Sequence, residues 1–235
     1  MLSVPGLKFC LTAVLIVLLA SCGQHHSILG ANDWGWDAAK VTVLSNIEVN
    51  SLRVRHVRVG DQVCKGGFRE HLELSGPIGP DSSEVVERVL QKMSKCEFAG
   101  GTGSYSPHVY LHSPGGLLRH GYKLGQTLRT FHANAVITKG QLCASSCAIA
   151  FIGAPYRSIE YDGQLLFHSP YNSSGRGIAC IDREQAQEMR MYMVNFLGSK
   201  DGEFAFDRTM SFCSQNSGWL LNADAAKLFG IATSR

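Results

Sequence analysis

Residues 142–153 read LCASSCAIAFIG, and this stretch decides the fold. Small residues and two cysteines surround Ser145, and the uninterrupted apolar run 148–152 follows. A tight turn of small residues that leads into a buried apolar segment is typical of a strand-to-helix corner, where a serine is presented at the N-terminus of a helix. The sequence therefore predicts such a corner at Ser145.

Two flanking motifs give the corner a chemical context. Upstream, the strand-like residues 109–111 lead into the SPGG sequence of residues 113–116, and downstream His168 follows the apolar residues 165–167. Adjacent glycines leave backbone amides unobstructed, a serine supplies a hydroxyl, and a histidine supplies a base. Together these are three parts of an acyl-transfer site.

The order of these motifs resembles that of the Clp peptidase family. An SPGG turn, a helix, a short strand, the serine corner, a turn from Gly153 to Arg157 and a strand that ends in His168 follow one another as in that family. The Cys-Ala-Ser-x-Cys form of the corner is similar to that of Clp-like proteins exported to the bacterial periplasm. The resemblance covers roughly residues 72–231. It implies an α/β Clp/crotonase-type fold, which is a single domain with a mostly parallel sheet and crossover helices. It also implies an activity that needs no cofactor.

The resemblance assigns a role to each part of the candidate site. Ser145 would be the nucleophile and His168 the general base, while the backbone amides of Gly116 and Ser146 would form an oxyanion hole beside Gly115. Ser146 competes with Ser145 as the nucleophile. Ser145 and His168 also fit purely structural roles, as a helix N-cap and a buried histidine.

Leu117, Leu118 and Arg119 follow the glycine pair. By resemblance, they form an edge along which an extended peptide adds as a strand, so peptide or protein substrates are the implied partners. The same segment opens a predicted helix over residues 116–131, because apolar residues recur there at helical spacing. A strand at 135–137 comes next, so the two flanking strands are predicted to be parallel with a right-handed crossover.

The third catalytic residue is where the sequence departs from the family. The expected aspartate aligns with Gly218, where no carboxylate is present. Three interpretations stay open: an amide such as Asn216 orients His168, the site is a Ser-His dyad, or the protein has lost activity. Asp207 and Asp224 are the nearest carboxylates in the sequence.

Two functions from different classes fit these motifs. The first is an exported, cofactor-independent serine peptidase that cleaves peptide bonds through an acyl-enzyme. The second is a catalytically inactive protein that keeps the peptide groove for binding or scaffolding. The glycine pair, Ser145 and His168 favour the enzyme, whereas the missing aspartate favours the binding protein. A third option is binding of an acyl thioester, as in related crotonase enzymes, but an exported protein seldom meets coenzyme A.

The first residues indicate export. Lys8, an apolar run over 11–19 and the sequence LASC at 19–22 form a signal peptide whose cleavage site ends in Cys22, as in a bacterial lipoprotein. An ordinary cleaved signal and a retained anchor are the alternatives, although the apolar run is too short for a hydrocarbon core of roughly 30 Å. The implied location is the periplasm, with the lipid holding the protein to a membrane. The predicted organisation is a signal peptide, a tether and one Clp-like domain, at residues 1–21, 22–40 and 41–235.

Charge and cysteine content narrow the class further. The 235-residue chain has a formal net charge of +3, which gives no argument for a nucleic-acid partner. Of its eight cysteines, Cys10 lies in the signal peptide and Cys22 would carry the lipid. The others suggest up to three disulfides in an oxidising compartment, and the sequence leaves their pairing open. These cysteines are Cys64, Cys96, Cys143, Cys147, Cys180 and Cys213.

Two of these cysteines bracket the serine corner. If Cys143 and Cys147 pair, their disulfide clamps the turn. The alternative is a thiol metal site with His168, but the usual spacing of such sites is absent. His25 and His26 could also bind a metal, although a solvated tether is the simpler interpretation. The site is therefore predicted to hold no metal.

The remaining periodicity predicts the frame around the site. It indicates strands at 41–44, 54–59 and 71–75, a polar loop at 171–177 and a last helix at 222–229. Arg53, Arg55 and Arg58 on the second strand are expected on a solvated sheet face or edge.

Two more helices are predicted from their ends. Asp81 and Glu84 form a capping box that opens a helix to about residue 94. Asp182 and Gln185 cap a second helix, which Gly198 stops. The methionines on the second helix fit either plain core or the assembly surface of a homo-oligomer.

Overall fold

The computed structural model describes residue 34 and residues 40–174, 177–214 and 217–233. The predicted signal peptide, the lipidation site at Cys22 and the candidate third catalytic residue Asn216 lie outside these ranges. None of the helices within them is long and apolar enough to cross a membrane.

Helices separate short groups of strands along the described chain. The strands are β1 (Val41–Val49), β2 (Leu52–Gly60), β3 (Phe68–Ser75), β4 (Cys96–Glu97), β5 (Ser104–Tyr105), β6 (His108–His112), β7 (Asn134–Ile137), β8 (Leu142–Ala144), β9 (Tyr156–Ile159), β10 (Gln164–Phe167), β11 (Tyr171–Ser174), β12 (Gly177–Cys180) and β13 (Trp219–Leu221). The helices are α1 (Ser82–Leu90), α2 (Leu118–Thr130), α3 (Ser146–Gly153), α4 (Gln187–Leu197), α5 (Ser199–Met210) and α6 (Ala223–Leu228).

The largest sheet has the strand order β1-β2-β3-β6-β7-β9. β1, β2 and β3 pair antiparallel, whereas β3, β6, β7 and β9 are parallel to one another. Parallel neighbours need crossover connections, and α1, α2 and α3 lie in those connections. The predicted α/β fold with a mostly parallel sheet and crossover helices is confirmed.

A small second sheet, with the order β13-β10-β8, carries the serine corner. β10 pairs parallel with β8 and antiparallel with β13. A bridge between Ser113 and Cys143 joins β8 to the turn that follows β6. Because ligands of such sheets bind beyond the carboxyl ends of the parallel strands, the ends of β6, β8 and β10 together define the candidate site.

The apolar run of the opening stretch forms the centre of the core. Every residue of α3 is buried. α2 crosses α3 closely, since a Cβ added at Gly121 would lie 2.5 Å from the carbonyl oxygen of Ser146 and one at Gly125 would lie 3.2 Å from the Cα of Gly153. Packing against α2 therefore holds α3, which begins directly after Ser145, along its length.

The prediction that the arginines of β2 face solvent is wrong for Arg55. β2 lies between β1 and β3, and Arg55 is buried. The guanidinium of Arg55 lies 2.9 Å from the carboxylate of Glu73, and that of Arg58 lies 2.8 Å from the carboxylate of Glu70. Both carboxylates are on β3, so the cross-strand register supplies the partners that buried charges require.

Three other elements differ from their predictions. Asp81 has a φ of 63° and makes no capping hydrogen bond through its side chain, so α1 begins at Ser82 without the expected box. The predicted polar loop at 171–177 contains the antiparallel hairpin of β11 and β12. Gly198 ends α4 as predicted, but its φ of 86° turns the chain directly into α5, which the sequence did not reveal.

The structure assigns roles to the cysteines and methionines that the sequence left open. Three disulfides join Cys64 to Cys96, Cys143 to Cys147 and Cys180 to Cys213. The thiol metal site is therefore wrong, because the sulfurs of Cys143 and Cys147 are bonded to each other. Met189 and Met193 are buried in the core.

Candidate active site

Ser145 occupies a sharp turn between β8 and α3, as predicted. Its φ of 55° and ψ of −122° are uncommon for a residue with a side chain. Two hydrogen bonds fix this conformation: the Ser145 N–H donates to the carbonyl of Leu166 at 2.8 Å, and the Ser145 carbonyl accepts from the N–H of Ile149 at 3.2 Å. The half-buried side chain lines a cavity, so its hydroxyl is accessible.

Ser146 differs sharply from its neighbour. It is 1% exposed, and its hydroxyl makes no hydrogen bond within the described chain. Ser146 also does not line the cavity that Ser145 faces. The burial of Ser146 therefore argues against the competing assignment of the nucleophile, and only its backbone N–H remains available to the site.

A disulfide holds the corner from both sides. Cys143 lies on β8 and Cys147 in the first turn of α3, with Cα atoms 5.2 Å apart. Both cysteines are 0% exposed. This bond closes a ring around Ser145 and restrains its backbone.

The glycine turn packs directly against the corner. The Ser113 N–H donates to the carbonyl of Leu142 at 2.8 Å, and the Ser113 carbonyl accepts from the N–H of Ala144 at 2.9 Å. Gly115 has a φ of 102°, and a Cβ there would lie 2.5 Å from the Cβ of Ser145. Gly116 has a φ of 148°, and a Cβ there would overlap the carbonyl of Ile78. Both positions therefore require glycine.

Two backbone N–H groups, one in this turn and one at the start of α3, have no acceptor within the described chain. The N–H of Gly115 donates to the hydroxyl of Ser113 at 3.1 Å, and that of Leu117 donates to a carbonyl at 3.0 Å. Between them, the N–H of Gly116 donates to no acceptor of the described chain, and neither does that of Ser146. Ser146 is the first residue of α3, where the helix dipole favours negative charge. These are the two amides predicted for an oxyanion hole.

His168 lies immediately after β10 and lines the same cavity as Ser145. Its Nδ1 is 3.0 Å from the backbone carbonyl oxygen of Ser169. Because a carbonyl can only accept, Nδ1 carries the proton and Nε2 is left as an acceptor, which is the tautomer that a general base needs. The ring of Tyr171 stacks on the imidazole, with 5.5 Å between centroids. The hydrogen bonds of the described residues include none between Ser145 and His168, a contact that often forms only with substrate bound.

The structure gives a physical reason for the missing aspartate. A Cβ at Gly218 would overlap the carbonyl of Phe167 and lie 2.9 Å from the side chain of Leu166, so no side chain fits there. Asp207 is exposed and paired with Arg183, and neither Asp207 nor Asp224 lines the cavity. The acceptor for Nδ1 is instead the Ser169 carbonyl, a role that sequence reasoning missed because every residue has a carbonyl.

The shared cavity has a volume of about 390 Å³. Apart from His168, its lining contains no ionisable side chain other than the Tyr171 phenol. The residues that line it are Gly116, Leu117, Leu118, Ser145, Ile149, Phe167, His168, Pro170, Tyr171, Asn172, Ile181, Met189 and Thr209. The cavity therefore combines a reactive end with a mostly apolar interior.

The predicted substrate residues divide into two groups. Leu117 and Leu118 line the cavity, whereas Gly115 lies beneath Ser145 and Arg119 is exposed outside. The interpretation of 117–119 as a strand edge is wrong, because α2 begins at Leu118. Another part of the lining offers a strand edge instead, since β11 contributes Tyr171 and Asn172 to the cavity and pairs only with β12 within the described chain.

Comparisons with known proteins concern the fold. No protein-family model matches the sequence, and no curated protein matches it. Two structures of the 1510-N membrane-bound stomatin-specific protease are similar: a serine-to-alanine mutant with a TM-score of 0.52 and 12% identity over 68% of this chain and 75% of that chain, and a lysine-to-alanine mutant in complex with a substrate peptide, with a TM-score of 0.52 and 14% identity over 68% and 71%. ClpP1 from Listeria monocytogenes has a TM-score of 0.47 and 16% identity over 68% and 86%. The chain therefore shares the α/β fold of the 1510-N protease.

Proposed function

We propose that the protein is a cofactor-independent serine peptidase that cleaves peptide bonds through an acyl-enzyme. One observation carries the proposal: Ser145 sits in a strained turn, with a φ of 55°, in the same cavity as His168 and beside two unpaired N–H groups. Strained backbone at a nucleophile is retained only where the surrounding structure enforces it. The fold shared with a protease adds support.

In this mechanism the proton moves along one line of groups. Nε2 of His168 takes the proton of the Ser145 hydroxyl while the oxygen attacks the peptide carbonyl. The oxyanion accepts hydrogen bonds from the N–H groups of Gly116 and Ser146, each worth about 3–4 kcal/mol in the transition state. His168 then protonates the leaving amine, and water hydrolyses the acyl-enzyme by the reverse sequence.

The lining of the cavity favours peptide substrates that have an apolar side chain next to the cleaved bond. Leu118, Ile149 and Met189 offer apolar surface for that side chain. The edge of β11 that pairs with no other strand of the described chain offers backbone groups to an extended peptide, which adds as a strand. Main-chain pairing of this kind binds peptides with little regard to most of their side chains.

The rival function is peptide binding without cleavage. The Ser169 carbonyl orients His168, but it carries no full charge to stabilise the imidazolium that forms during catalysis. Replacing the aspartate by an amide in a site built for aspartate costs about 10⁴ in rate. We therefore expect weak activity, because the imidazolium lacks a charged partner.

The test is covalent labelling of Ser145 with a fluorophosphonate probe, with the adduct located by mass spectrometry. We expect the label on Ser145, complete loss in Ser145→Ala and near-complete loss in His168→Ala. Ser146→Ala is the matched control, and it should keep the label because the Ser146 hydroxyl is buried. A folded wild-type protein that takes no label would favour the binding protein.

We also propose that the protein is exported and attached to a membrane by lipid at Cys22. The three disulfides support an oxidising compartment. Cys22→Ala should abolish lipidation and partitioning into detergent. A wild-type protein that is fully soluble and has no modified Cys22 would contradict the anchor.

A further inference from the structure

The three disulfides differ in their exposure to solvent. Cys143 and Cys147 are each 0% exposed, and Cys64 and Cys96 are 3% and 6% exposed. Cys213 is exposed and its partner Cys180 is half-buried. Thiol–disulfide exchange needs a thiolate to reach a sulfur atom, so Cys180–Cys213 is the accessible one among the disulfides of the described chain.

This accessible disulfide joins two segments that border the candidate active site. Cys180 is the last residue of β12, and Cys213 follows the end of α5. The hairpin of β11 and β12 contributes Tyr171 and Asn172 to the cavity, and the residue after Cys180, Ile181, also lines it. One wall of the cavity is therefore tied to the rest of the domain through this bond.

The residues next to the two cysteines both contact Ser169. The carbonyl of Phe212, which precedes Cys213, accepts a hydrogen bond from the Ser169 N–H at 2.8 Å. The hydroxyl of Ser169 lies 3.4 Å from the carbonyl of Ile181, which follows Cys180. The carbonyl of Ser169 in turn accepts from Nδ1 of His168 at 3.0 Å. The disulfide thus holds the two segments that fix the acceptor of His168.

Apart from the hydrogen bonds of Ser169 and the packing of the half-buried Ile181 and Phe212 on the core, the polar contacts of these segments are weak or local. The ion pair of Arg183 with Asp207 is exposed on both sides, and such pairs contribute little. The N–H of Ile181 donates to the carbonyl of Pro170 at 2.8 Å, but this bond lies within the hairpin base itself. An isolated two-stranded hairpin is marginally stable in water. Opening the disulfide should therefore loosen this wall while leaving the buried core folded.

We propose that Cys180–Cys213 is a thiol-exchange site at which a dithiol controls the position of His168 and the adjoining cavity wall. A thiolate of the dithiol attacks Sγ of Cys213, the bond to Cys180 breaks, and Cys180 leaves as a thiolate that takes a proton from water. The second thiolate of the dithiol then attacks the dithiol's own sulfur in this mixed disulfide. The bond to Cys213 breaks, the dithiol closes into a disulfide, and Cys213 leaves as a thiolate that takes a proton from water. Two electrons pass from the dithiol to the protein, and a disulfide oxidant reverses the step.

The effect on catalysis rests on the proposed peptidase. With the Ser169 carbonyl displaced, Nδ1 of His168 loses its fixed partner, and the imidazole no longer holds Nε2 towards Ser145. A misplacement of about 1 Å can cost about a hundred-fold in rate, so we expect a fall of that order on reduction. Because β11 would move as well, KM for a peptide should rise together with the fall in kcat.

The experiment titrates the oxidised protein with dithiothreitol, traps free thiols with iodoacetamide and maps them by mass spectrometry. Hydrogen exchange around His168 and β11 and the labelling rate of Ser145 are measured at each step. We expect Cys180 and Cys213 to be alkylated first, exchange to increase there and labelling to slow. In samples without iodoacetamide, re-oxidation with oxidised glutathione should restore the original exchange and labelling rates and should protect both cysteines from later alkylation. Alkylation of the other cysteines first, or reduction of this pair without increased exchange, would overturn the proposal.

Two double variants serve as controls. Cys180→Ser with Cys213→Ser should show the increased exchange without reductant and should not respond to dithiothreitol. Cys64→Ser with Cys96→Ser removes a buried disulfide elsewhere and should keep the full response. If wild-type Ser145 takes no label in either state, the peptidase proposal fails, whereas the order of reduction and the hydrogen exchange still decide the thiol-exchange site.

Discussion

The two halves of the candidate site are held in different ways. The nucleophile corner, defined as residues 143–147 with the glycine turn 113–116, is fixed by a buried disulfide and by short backbone hydrogen bonds. The base segment, defined as residues 168–171, depends on Phe212 and Ile181, which lie beside an exposed disulfide. Ser145 is thus backed by the buried helix α3, whereas the segments that fix His168 are joined by a disulfide that solvent reaches.

The nucleophile corner and the base segment should respond differently to substitution and to opening of the structure. Packed interiors yield little to small changes, so the corner should tolerate almost no substitution. Peripheral segments with few buried contacts open at lower free energy. The position of the nucleophile should therefore be constant, and changes in activity should come from the base segment.

Gly115→Ala should have the largest effect, because it strikes the corner directly. A Cβ there would lie 2.5 Å from the Cβ of Ser145 and 2.7 Å from the carbonyl of Ala144. Displacing Ser145 relative to the oxyanion hole should cost about 10²–10³-fold in the labelling rate. Gly67→Ala is the matched control, since Gly67 has a φ of 70° but a Cβ there would meet nothing within 4 Å. An active Gly115→Ala protein would show that the corner is not rigid.

Removal of the buried disulfide should have the next largest effect. Cys143→Ala with Cys147→Ala should lower the free energy of unfolding by about 2 kcal/mol, because the bond closes a short loop. Labelling of Ser145 should slow as well, since the strained φ of Ser145 loses a restraint. Cys64→Ala with Cys96→Ala, measured by the same urea titration and labelling assay, should destabilise the protein without slowing the label. Equal labelling rates in the two double variants would show that the Cys143–Cys147 disulfide does not restrain the geometry of the corner.

The two halves can be compared only while the protein is folded, and we expect His71 to lower the folding stability at acid pH. Burial, with the nearby charges of His108 and Arg69, lowers the pKa of His71 from 6.5 to about 3. The unfolded chain takes up this proton first, so the stabilisation present above pH 6.5 is lost as the pH falls towards 3. The free energy of unfolding should drop by about 1 kcal/mol between about pH 6.5 and 5.5 from this residue. His71→Phe should flatten that slope in urea titrations, and an unchanged slope would assign it to other groups.

Sequence reasoning succeeded where the determinants are local. The serine corner, the glycine turn and the strand that leads into His168 were predicted because each is encoded in a few adjacent residues. Reasoning failed where a partner comes from a distant strand or segment. Arg55 looked solvated because Glu73 pairs with it only through the register of β2 and β3. The role of the Ser169 carbonyl as the acceptor for His168 could not be predicted for the same reason, since it depends on the hydrogen bond between Ser169 and the distant Phe212.

The smallest effect is expected for the carboxylates that the sequence offered as a third catalytic residue. Asp207→Asn and Asp224→Asn should each change the labelling rate by less than about two-fold, because exposed charges away from a site contribute little. Neither residue lines the cavity, and Asp207 already pairs with Arg183. The same ion pair connects the two segments that the exposed disulfide joins, so the effect of Asp207→Asn should grow once Cys180–Cys213 is reduced, while that of Asp224→Asn should not. If either variant is as damaging as His168→Ala in a folded, oxidised protein, a carboxylate does orient the base. The base segment would then be as firmly fixed as the nucleophile corner, and the contrast between the two halves would disappear.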